Sequence, residues 1–511
     1  MPTLKIDEVE VTVEPGTRVI EAADRLGIDI PRFCYHPGLS VAANCRMCLV
    51  ETNRSPKLVP SCYETCCDGL EVKTRTDKVL EARRAVLEYI LLNHPVDCPI
   101  CDQAGECDLQ DLYFAHDHKP SRHEFRKHHK PKARILGPQI VYDGERCINC
   151  TRCIRVCEEV AKAPQLQQVQ RGERTYIDVF PGMELDHPYS MCTADVCPVG
   201  ALTTRDFRFK CRAWFTHGTQ SVCAECSRGC SVRVDAYRNA VQRVVPRANP
   251  GVNQFWACDA GRLAYHAYEE GRLESARVLG RAASPAEALD ALSRGLAALP
   301  AEARVLVVLS PTMTLEDAWA AVSLFRRRPG IVRFAIGGRA PGFQDDILIR
   351  ADKSPNRAGV TLALETLGAT PVSLDAALAG GPNAVVVFGD DHAATDALVG
   401  AMGKAQVCAA FVPRDGALAA SGGVVLPVLS PYETEGTWIN ESGVLQRVRA
   451  AVTPPGDARP TPAWLAALAA LLDDASVPAT PAAAFAQAAA AVPALSGLAF
   501  DGIGPHGIAL K

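Results

Sequence analysis

RCINCTRCIRVC (Arg146–Cys157), answered downstream by DVCPVGAL (Asp195–Leu202), is the stretch that decides the class of this chain. A C-x2-C-x2-C run followed by a distant Cys-Pro is the spacing with which proteins hold iron–sulfur clusters. Cys147, Cys150 and Cys153 supply three thiolates. Cys157 looks like the fourth, but in runs of this kind the fourth cysteine serves a second cluster. Cys197, followed by Pro198, completes the set instead. A second cluster would need its own C-x2-C-x2-C, and the region offers only Cys192 and Cys197. Cys157 and Cys192 therefore read as remnants of a lost site or as small buried apolar residues.

The rest of the chain agrees with a metal-bearing reading. It has 511 residues and 21 cysteines, and only Cys408 lies beyond residue 260. The N-terminus (MPTLK) has no apolar signal core, and no apolar run is long enough for a membrane span. A chain of the reducing cytosol does not hold that many thiols for disulfides, so soft-metal ligation is the better account. The net charge of −4 argues against nucleic acid as a partner. One basic stretch, KPSRHEFRKHHKPKAR (Lys119–Arg134), reads as a solvated loop or as a docking surface for an acidic partner.

Three more cysteine groups flank the first. Cys34, Cys45, Cys48 and Cys62 are spaced C-x10-C-x2-C-x13-C, with Cys66 and Cys67 competing for the fourth place. Four thiolates suit a [2Fe–2S] cluster, two to each iron. His94, Cys98, Cys101 and Cys107 follow in HPVDCPICDQAGECDLQD (residues 94–111). Cys223, Cys226, Cys230 and Cys258 follow in CAECSRGC and WACDAGR. Either of the last two groups could hold zinc on spacing alone. Cys211 and Cys408 have no partners in the spacing.

Around these groups the chain alternates structural patterns. Residues 3–13 alternate apolar and polar as a hairpin does, and Thr17 is placed to cap a helix through Leu26 that ends at Gly27. The strands CLVET and GLEVKT then complete a small α+β domain. Residues 77–93 have helical spacing that stops at His94-Pro95. Residues 98–130 show little regular pattern. After residue 275 cysteine almost vanishes, and RVLVVLS (304–310) and NAVVVFGD (383–390) read as buried parallel strands of an α/β layer. No G-x-G-x-x-G follows them, so NADH binding by this chain is not expected. From residue 463 the chain is rich in alanine and broken by proline, and reads as peripheral packing or partly disordered.

CYHPGLSVAANCRMCLVE (Cys34–Glu51) closely resembles the N-terminal ferredoxin domain of the large iron–sulfur subunit, the G or 75 kDa type, of NADH:quinone oxidoreductase, respiratory complex I. The resemblance implies a β-grasp [2Fe–2S] domain with Cys62 as fourth ligand. Residues 94–111 resemble that family's His/Cys3 [4Fe–4S] site. One imidazole in place of a thiolate makes such a cluster less negative and, other things equal, easier to reduce. The Cys223 stretch resembles the [4Fe–4S] domain of molybdopterin oxidoreductases, which some bacterial members retain off the main electron path. PYETEGTWINESGVLQRV (Pro431–Val448) is similar to the ETEGTF-N-EGR-Q motif of molybdopterin enzymes, with Gly436 and Gly443 placed for turns. No cysteine lies between Cys258 and Cys408 to ligate molybdenum, so the α/β region is expected to be a shortened, degenerate domain without molybdopterin.

The expected architecture is multidomain, α+β then α/β. A [2Fe–2S] domain spans 1–80, a His/Cys3 [4Fe–4S] domain 81–125 and a ferredoxin-like [4Fe–4S] region 140–210. A molybdopterin-oxidoreductase-type [4Fe–4S] domain spans 219–272, the degenerate α/β domain 273–453 and an Ala/Pro-rich tail 454–511. The resemblance implies one [2Fe–2S] and three [4Fe–4S] clusters that relay electrons and perform no bond chemistry. The implied partners are a flavin (FMN) subunit that binds NADH, a ferredoxin-like subunit with two [4Fe–4S] clusters and other peripheral-arm subunits. The implied place is the cytoplasmic side of a bacterial inner membrane, held peripherally. An NAD-linked formate dehydrogenase, an iron hydrogenase and a zinc scaffold are the competing readings.

Overall fold

In the computed structural model, which describes residues 1–510 apart from 118–119, 391–392, 422 and 475, the chain divides into two units, Met1–Thr216 and His217–Lys511. The first begins with the hairpin β1 (Thr3–Ile6) and β2 (Val9–Thr12). Its two turn residues, Asp7 and Glu8, both take positive φ, the conformation a two-residue hairpin needs. The alternation places Leu4 and Ile6 in the core. α1 (Val19–Arg25) lays Val19, Ile20, Ala22 and Ala23 against the sheet. Its cap is Arg18, not Thr17. The Arg18 N–H donates to the Glu21 carboxylate at 2.9 Å, while the Thr17 hydroxyl donates to the Glu14 carbonyl at 2.7 Å. Gly27, at φ +72°, ends the helix as expected.

β3 (Leu49–Thr52), β4 (Ser55–Pro60) and β5 (Glu71–Lys73) complete a sheet of order β2-β1-β5-β3-β4, with β1 and β5 parallel. This mixed sheet grips α1. The loop before β3 carries Cys34, Cys45 and Cys48, and Cys62 follows β4. α2 (Asp77–Leu91) is capped by the Thr76 hydroxyl, which accepts from the Val79 N–H. α3 (Asp108–His116) lies in the stretch that shows little pattern in the sequence, and it starts directly after Cys107. β6 (Arg134–Ile135), β7 (Ile140–Tyr142) and β10 (Leu202–Thr204) form an antiparallel sheet. Between them lie α4 (Arg152–Arg155), the hairpin β8 (Leu166–Val169)/β9 (Tyr176–Val179) and α5 (Cys192–Asp195).

The basic stretch is used inside this unit; its Lys119 lies outside the described residues. Lys127 Nζ donates to the Leu91 and Leu92 carbonyls, 2.8 Å each, at the end of α2. Arg122 pairs with Glu88 at 2.6 Å, Lys132 with Glu145 at 2.8 Å, and Arg134 with Asp178. These cations strap loop to helix and sheet, so they are not the free array that a docking surface for an acidic partner requires.

The second unit opens on the antiparallel meander β11 (His217–Val222), β12 (Ser231–Tyr237) and β13 (Ala240–Pro246), followed by α6 (Asp259–Leu263). An eight-stranded sheet follows. Its edge is the hairpin β14 (Arg277–Val278)/β15 (Arg281–Ala282). Its body is β16 (Arg304–Leu309), β17 (Ile331–Ile336), β18 (Pro371–Val372), β19 (Ala384–Phe388), β20 (Val407–Val412) and β21 (Val424–Pro427). The order is β15-β14-β21-β20-β19-β16-β17-β18, parallel from β21 to β18. β16, β19 and β20 carry Val-rich runs because helices cover both faces. These are α7 (Pro285–Ala297), α8 (Leu315–Phe325), α9 (Arg357–Thr366), α10 (Leu374–Ala379), α11 (Asp396–Met402) and α12 (Ala417–Ala420).

β22 (Gly436–Ile439) and β23 (Val444–Val448) hold the motif that resembles the molybdopterin enzymes. Gly443, at φ +73°, makes the turn between them. Gly436 instead lies within β22, where a Cβ would collide with Thr314 of the α8 cap. The tail differs from its expectation. α13 (Thr461–Leu471) and α14 (Pro481–Ala491) pack into the main core, and β24 (Ile508–Ala509) pairs with β23. Trp464, Leu465 and Leu468 are wholly buried, and Trp464 Nε1 donates to the Pro427 carbonyl at 2.7 Å. Alanine-rich composition hid a stripe that fills the space beside α7 and α8.

Candidate metal centres

The first cysteine group converges. The Cys34 thiol is in hydrogen-bonding contact with Cys45 and Cys62, and Cys48 with Cys62. Ala43 and Arg46 hold positive φ on either side of Cys45, a conformation non-glycine residues adopt rarely. That backbone turns the N–H groups of Asn44 and Cys45 toward Cys34 Sγ and the Met47 N–H toward Cys45 Sγ. N–H donors around thiolates are what a cluster loop needs. The Cys45 and Cys62 bonds pull Cys34 well below the ordinary thiol range, whereas the hydrogen bonds to Cys34 and Cys48 push Cys62 up. Cys66 sits instead near Cys67, Glu21 and Arg25, and burial pushes it up to about 11.

Cys147, Cys150, Cys153 and Cys197 line one small cavity, whose remaining wall is Tyr142, Ile148, Thr151, Ile177, Val199, Ala201 and Leu202. Positive φ at Asn149 and Thr151 turns the run about itself, and the Asn149 N–H donates to Cys147 Sγ at 3.4 Å. Desolvation pushes Cys197 up to about 12, so the space favours thiolates only with a cation or cluster iron present. Cys157 lies outside this cavity, with its Sγ 3.4 Å from His187 Nε2. His187 Nδ1 accepts from the Tyr189 N–H, so Nε2 carries the proton toward Cys157.

His94 is half-buried, and its buried Nδ1 has no hydrogen-bond partner. Burial lowers its pKa to about 4, leaving the neutral imidazole that a metal requires. Cys107 Sγ lies 3.8 Å from the Pro198 carbonyl, next to Cys197. Cys101 Sγ presses on Gly200, where any Cβ would collide with it. Arg146 lies beside Cys101 and is held by Asp97 at 2.8 Å. Cys98 is exposed. Gly200→Ala is expected to reduce bound iron by about four per chain. Iron analysis with paramagnetic resonance checks this, and an unchanged iron count would contradict the cradle.

In the second unit Cys226, Cys230 and Cys258 surround Cys223 closely enough to raise its pKa after desolvation. A Cβ on Gly261 would stand 2.7 Å from Cys223 Sγ and 3.5 Å from Cys258 Sγ. The Pro431–Val448 segment braces this loop. Asn440 Nδ2 donates to the Arg228 carbonyl at 3.1 Å, and Glu441 accepts from Ser227 at 3.0 Å. Arg350, paired with Glu441 at 2.5 Å, lies beside Cys226, and Arg339 pairs with Glu225 at 2.7 Å. No sequence spacing points to these arginines. Among the described residues no group of three or more His, Cys, Asp or Glu is arranged around a single metal ion.

β16 and β19 adjoin at the point where the strand order reverses, the usual ligand crevice of such sheets. An open cleft lies there, lined by Asp317, Asp390 and Glu435 with Tyr268, Thr312 and Trp438 among others. An anionic phosphate-bearing cofactor needs N–H donors and cations at this place. Three carboxylates do not suit it. Burial pushes Asp317 up to about 6 and the adjoining Glu316 up to about 7. Raised carboxyls stabilise the fold fully below their unfolded values near 4, and the contribution is lost as pH rises through about 7. The denaturant midpoint is therefore expected to fall between about pH 4 and about pH 7 and to level off above that. Glu316→Gln, which still reaches both Thr437 groups, should remove much of that fall.

These features define a multidomain iron–sulfur protein. Residues 1–77 match the family model of the 2Fe-2S iron-sulfur cluster binding domain. Residues 83–122 match the NADH-ubiquinone oxidoreductase-G iron-sulfur binding region. Residues 137–203 match the ferredoxin-like domain of NADH-quinone oxidoreductase subunit 3, and 238–471 match molybdopterin oxidoreductase. The chain is similar to the G-type and 75 kDa subunits of NADH-quinone oxidoreductases. It is 40% identical over 326 residues to the G-type subunit from Streptomyces coelicolor, covering 62% of this chain and 38% of that protein. It is 41% identical over 276 residues to the 75 kDa subunit of Reclinomonas americana, covering 54% and 40%. The chain thus spans about two fifths of the length of these relatives. A chain from a solved NAD+-reducing [NiFe]-hydrogenase in the H2-reduced state is 30% identical over 41% of this chain and 90% of its own, with a TM-score of 0.38.

Proposed function

We propose that this chain is the electron-transfer subunit of a proton-pumping NADH:quinone oxidoreductase, relaying electrons from a flavin (FMN) subunit toward quinone. One observation carries the reading: Cys34, Cys107, Cys150 and Cys153, from three separate ligand sets, share one buried side-chain cluster. The assigned sets are Cys34, Cys45, Cys48 and Cys62 for a [2Fe–2S] cluster, and His94, Cys98, Cys101 and Cys107 for a [4Fe–4S] cluster. Cys147, Cys150, Cys153 and Cys197 take a second [4Fe–4S] cluster, and Cys223, Cys226, Cys230 and Cys258 a third. Such clusters, when bound, supply one-electron carriage. The chain's own part is to hold thiolates, point N–H groups at them and wall them from water with apolar side chains.

The contacts favour an order. The Cys34 set adjoins the Cys147 set through the Asn44–Asn149 hydrogen bond, and the Cys147 set adjoins the His94 set at Pro198. Exposed Cys98 then offers an exit toward a ferredoxin-like subunit with two [4Fe–4S] clusters. The Cys223 set lies in the other unit and is assigned off this line. The carboxylate-lined crevice supports a domain without molybdopterin. No helix among the described residues is long and apolar enough to cross a membrane. We assign the chain a peripheral place on the cytoplasmic side of a bacterial inner membrane, held through its partner subunits.

Anaerobically purified protein is expected to be brown with about 14 irons per chain, by metal analysis and paramagnetic resonance. Stoichiometric zinc with few irons, or bound molybdenum, would overturn the reading. Cys230→Ser is expected to remove one cluster yet leave most NADH–quinone activity in an assembled complex. Abolished transfer in that complex would contradict the off-line assignment.

A further inference from the structure

Arg152 and Arg155 of α4 lie between the Cys34 and Cys147 sets, and the spacing of cysteines assigns them nothing. Both are buried, at 8% and 7% exposure. Arg155 Nη2 donates to the carbonyl of Cys34 at 2.7 Å and to that of Cys150 at 3.2 Å. One nitrogen thus joins a ligand residue of each set. Arg155 Nη1 donates to the Ser40 carbonyl. Arg152 repeats the pattern one turn earlier. Its Nη2 donates to the carbonyl of Tyr35, next to Cys34, at 2.6 Å, and its Nη1 to that of Val196, next to Cys197, at 3.2 Å.

The two guanidiniums lack the counter-charges that burial demands. Among the described residues Arg155 has no carboxylate at ion-pair distance, and Arg152 has only Asp108, at 3.9 Å. The Nε–H of each is buried without a partner. A buried unpaired cation is costly, and carbonyl dipoles offset only part of that cost. Four thiolates leave an iron–sulfur cluster with a net negative charge, and a cysteine set that would hold one lies on either side of the pair.

We propose that Arg152 and Arg155 are positioning residues that bridge the first and third cysteine sets and hold the potentials of both clusters up. Each cluster supplies the counter-charge that the arginines lack. In return the cations favour the reduced, more negative form of each cluster and screen the two from one another. An electron passing between clusters bound in the two sets would move past these positive charges. The inference rests on the cluster assignment above, and its test separates the two.

The experiment is a potentiometric titration of the full chain in its complex, following each cluster by paramagnetic resonance. Absence of cluster signals from the unaltered protein would sink the assignment itself. With the signals present, Arg155→Gln is expected to shift the midpoints of the [2Fe–2S] and Cys147-type clusters downward together. The His94-type and Cys223-type midpoints should stay in place. Arg155→Lys, which keeps the charge but not the fork, should fall between Arg155→Gln and the unaltered protein. Unmoved midpoints in Arg155→Gln, or equal movement of all four, would overturn the proposal. Should Arg155→Gln lose the two clusters, Arg152→Gln is read by the same criteria. Loss of both clusters in both variants would leave the pair a structural brace and also overturn it.

Discussion

Cys150→Ser is expected to cut NADH–quinone electron transfer by about 100-fold or more and to remove about four irons per chain. Cys150 lines the cavity that the Cys147 set encloses, and its carbonyl is tied by Arg155 to Cys34. Its position is therefore central to the line from the Cys34 set to the His94 set. Serine keeps the shape but supplies a poor, largely protonated ligand in place of a soft thiolate. Changes one layer outside a metal site already cost about 10–100-fold, so loss of the ligand itself should cost no less. The check is paired: iron and resonance spectra of the purified complex, and its steady-state rate. Cys230→Ser is the control, because it removes the same number of irons from the other unit. Retained rates in Cys150→Ser, with the cluster demonstrably absent, would contradict the proposed order.

Trp464→Ala is expected to destabilise the second unit by about 3–5 kcal/mol. The indole is wholly buried in the core that contains β16, β19 and α8. Its removal opens a cavity and also costs the Pro427 carbonyl its shorter hydrogen bond, worth about 1 kcal/mol more, leaving it only the Arg459 N–H at 3.4 Å. Arg459 stacks on the same ring, 4.2 Å from its centroid, and would lose that contact too. Denaturant unfolding followed in unit two's own signals should show the shift. Iron bound by the Cys34, His94 and Cys147 sets should not change. A shift below about 1 kcal/mol would return the tail to the peripheral role its composition suggests.

Local pattern accounts for much of the fold. The hairpin at residues 3–12, α1, the stop of α2 before His94-Pro95 and the parallel strands β16 and β19 all follow from it. The cap at Arg18 does not, because the Thr17 hydroxyl is already engaged with Glu14. α3 was hidden because its Asp108–His116 stretch has only Leu109 buried, a weak signal for a helix. The role of Gly436 was hidden because its neighbours, Thr314 and Glu316, are remote in sequence.

The cysteines of RCINCTRCIRVC and of the three other groups were legible for a physical reason. Ligand spacing is a local property: a C-x2-C turn aims two sulfurs at one place whatever the rest of the fold does. The sequence by itself thus determined the class of protein, the candidate ligand groups and the change from α+β to α/β. Only tertiary structure decided what stands around those groups. Arg155 meets Cys34 across 121 residues, Cys101 meets Gly200, and Trp464 meets Pro427. Burial, counter-charge and close approach are properties of neighbours in space, and no spacing along the chain encodes which neighbours will meet.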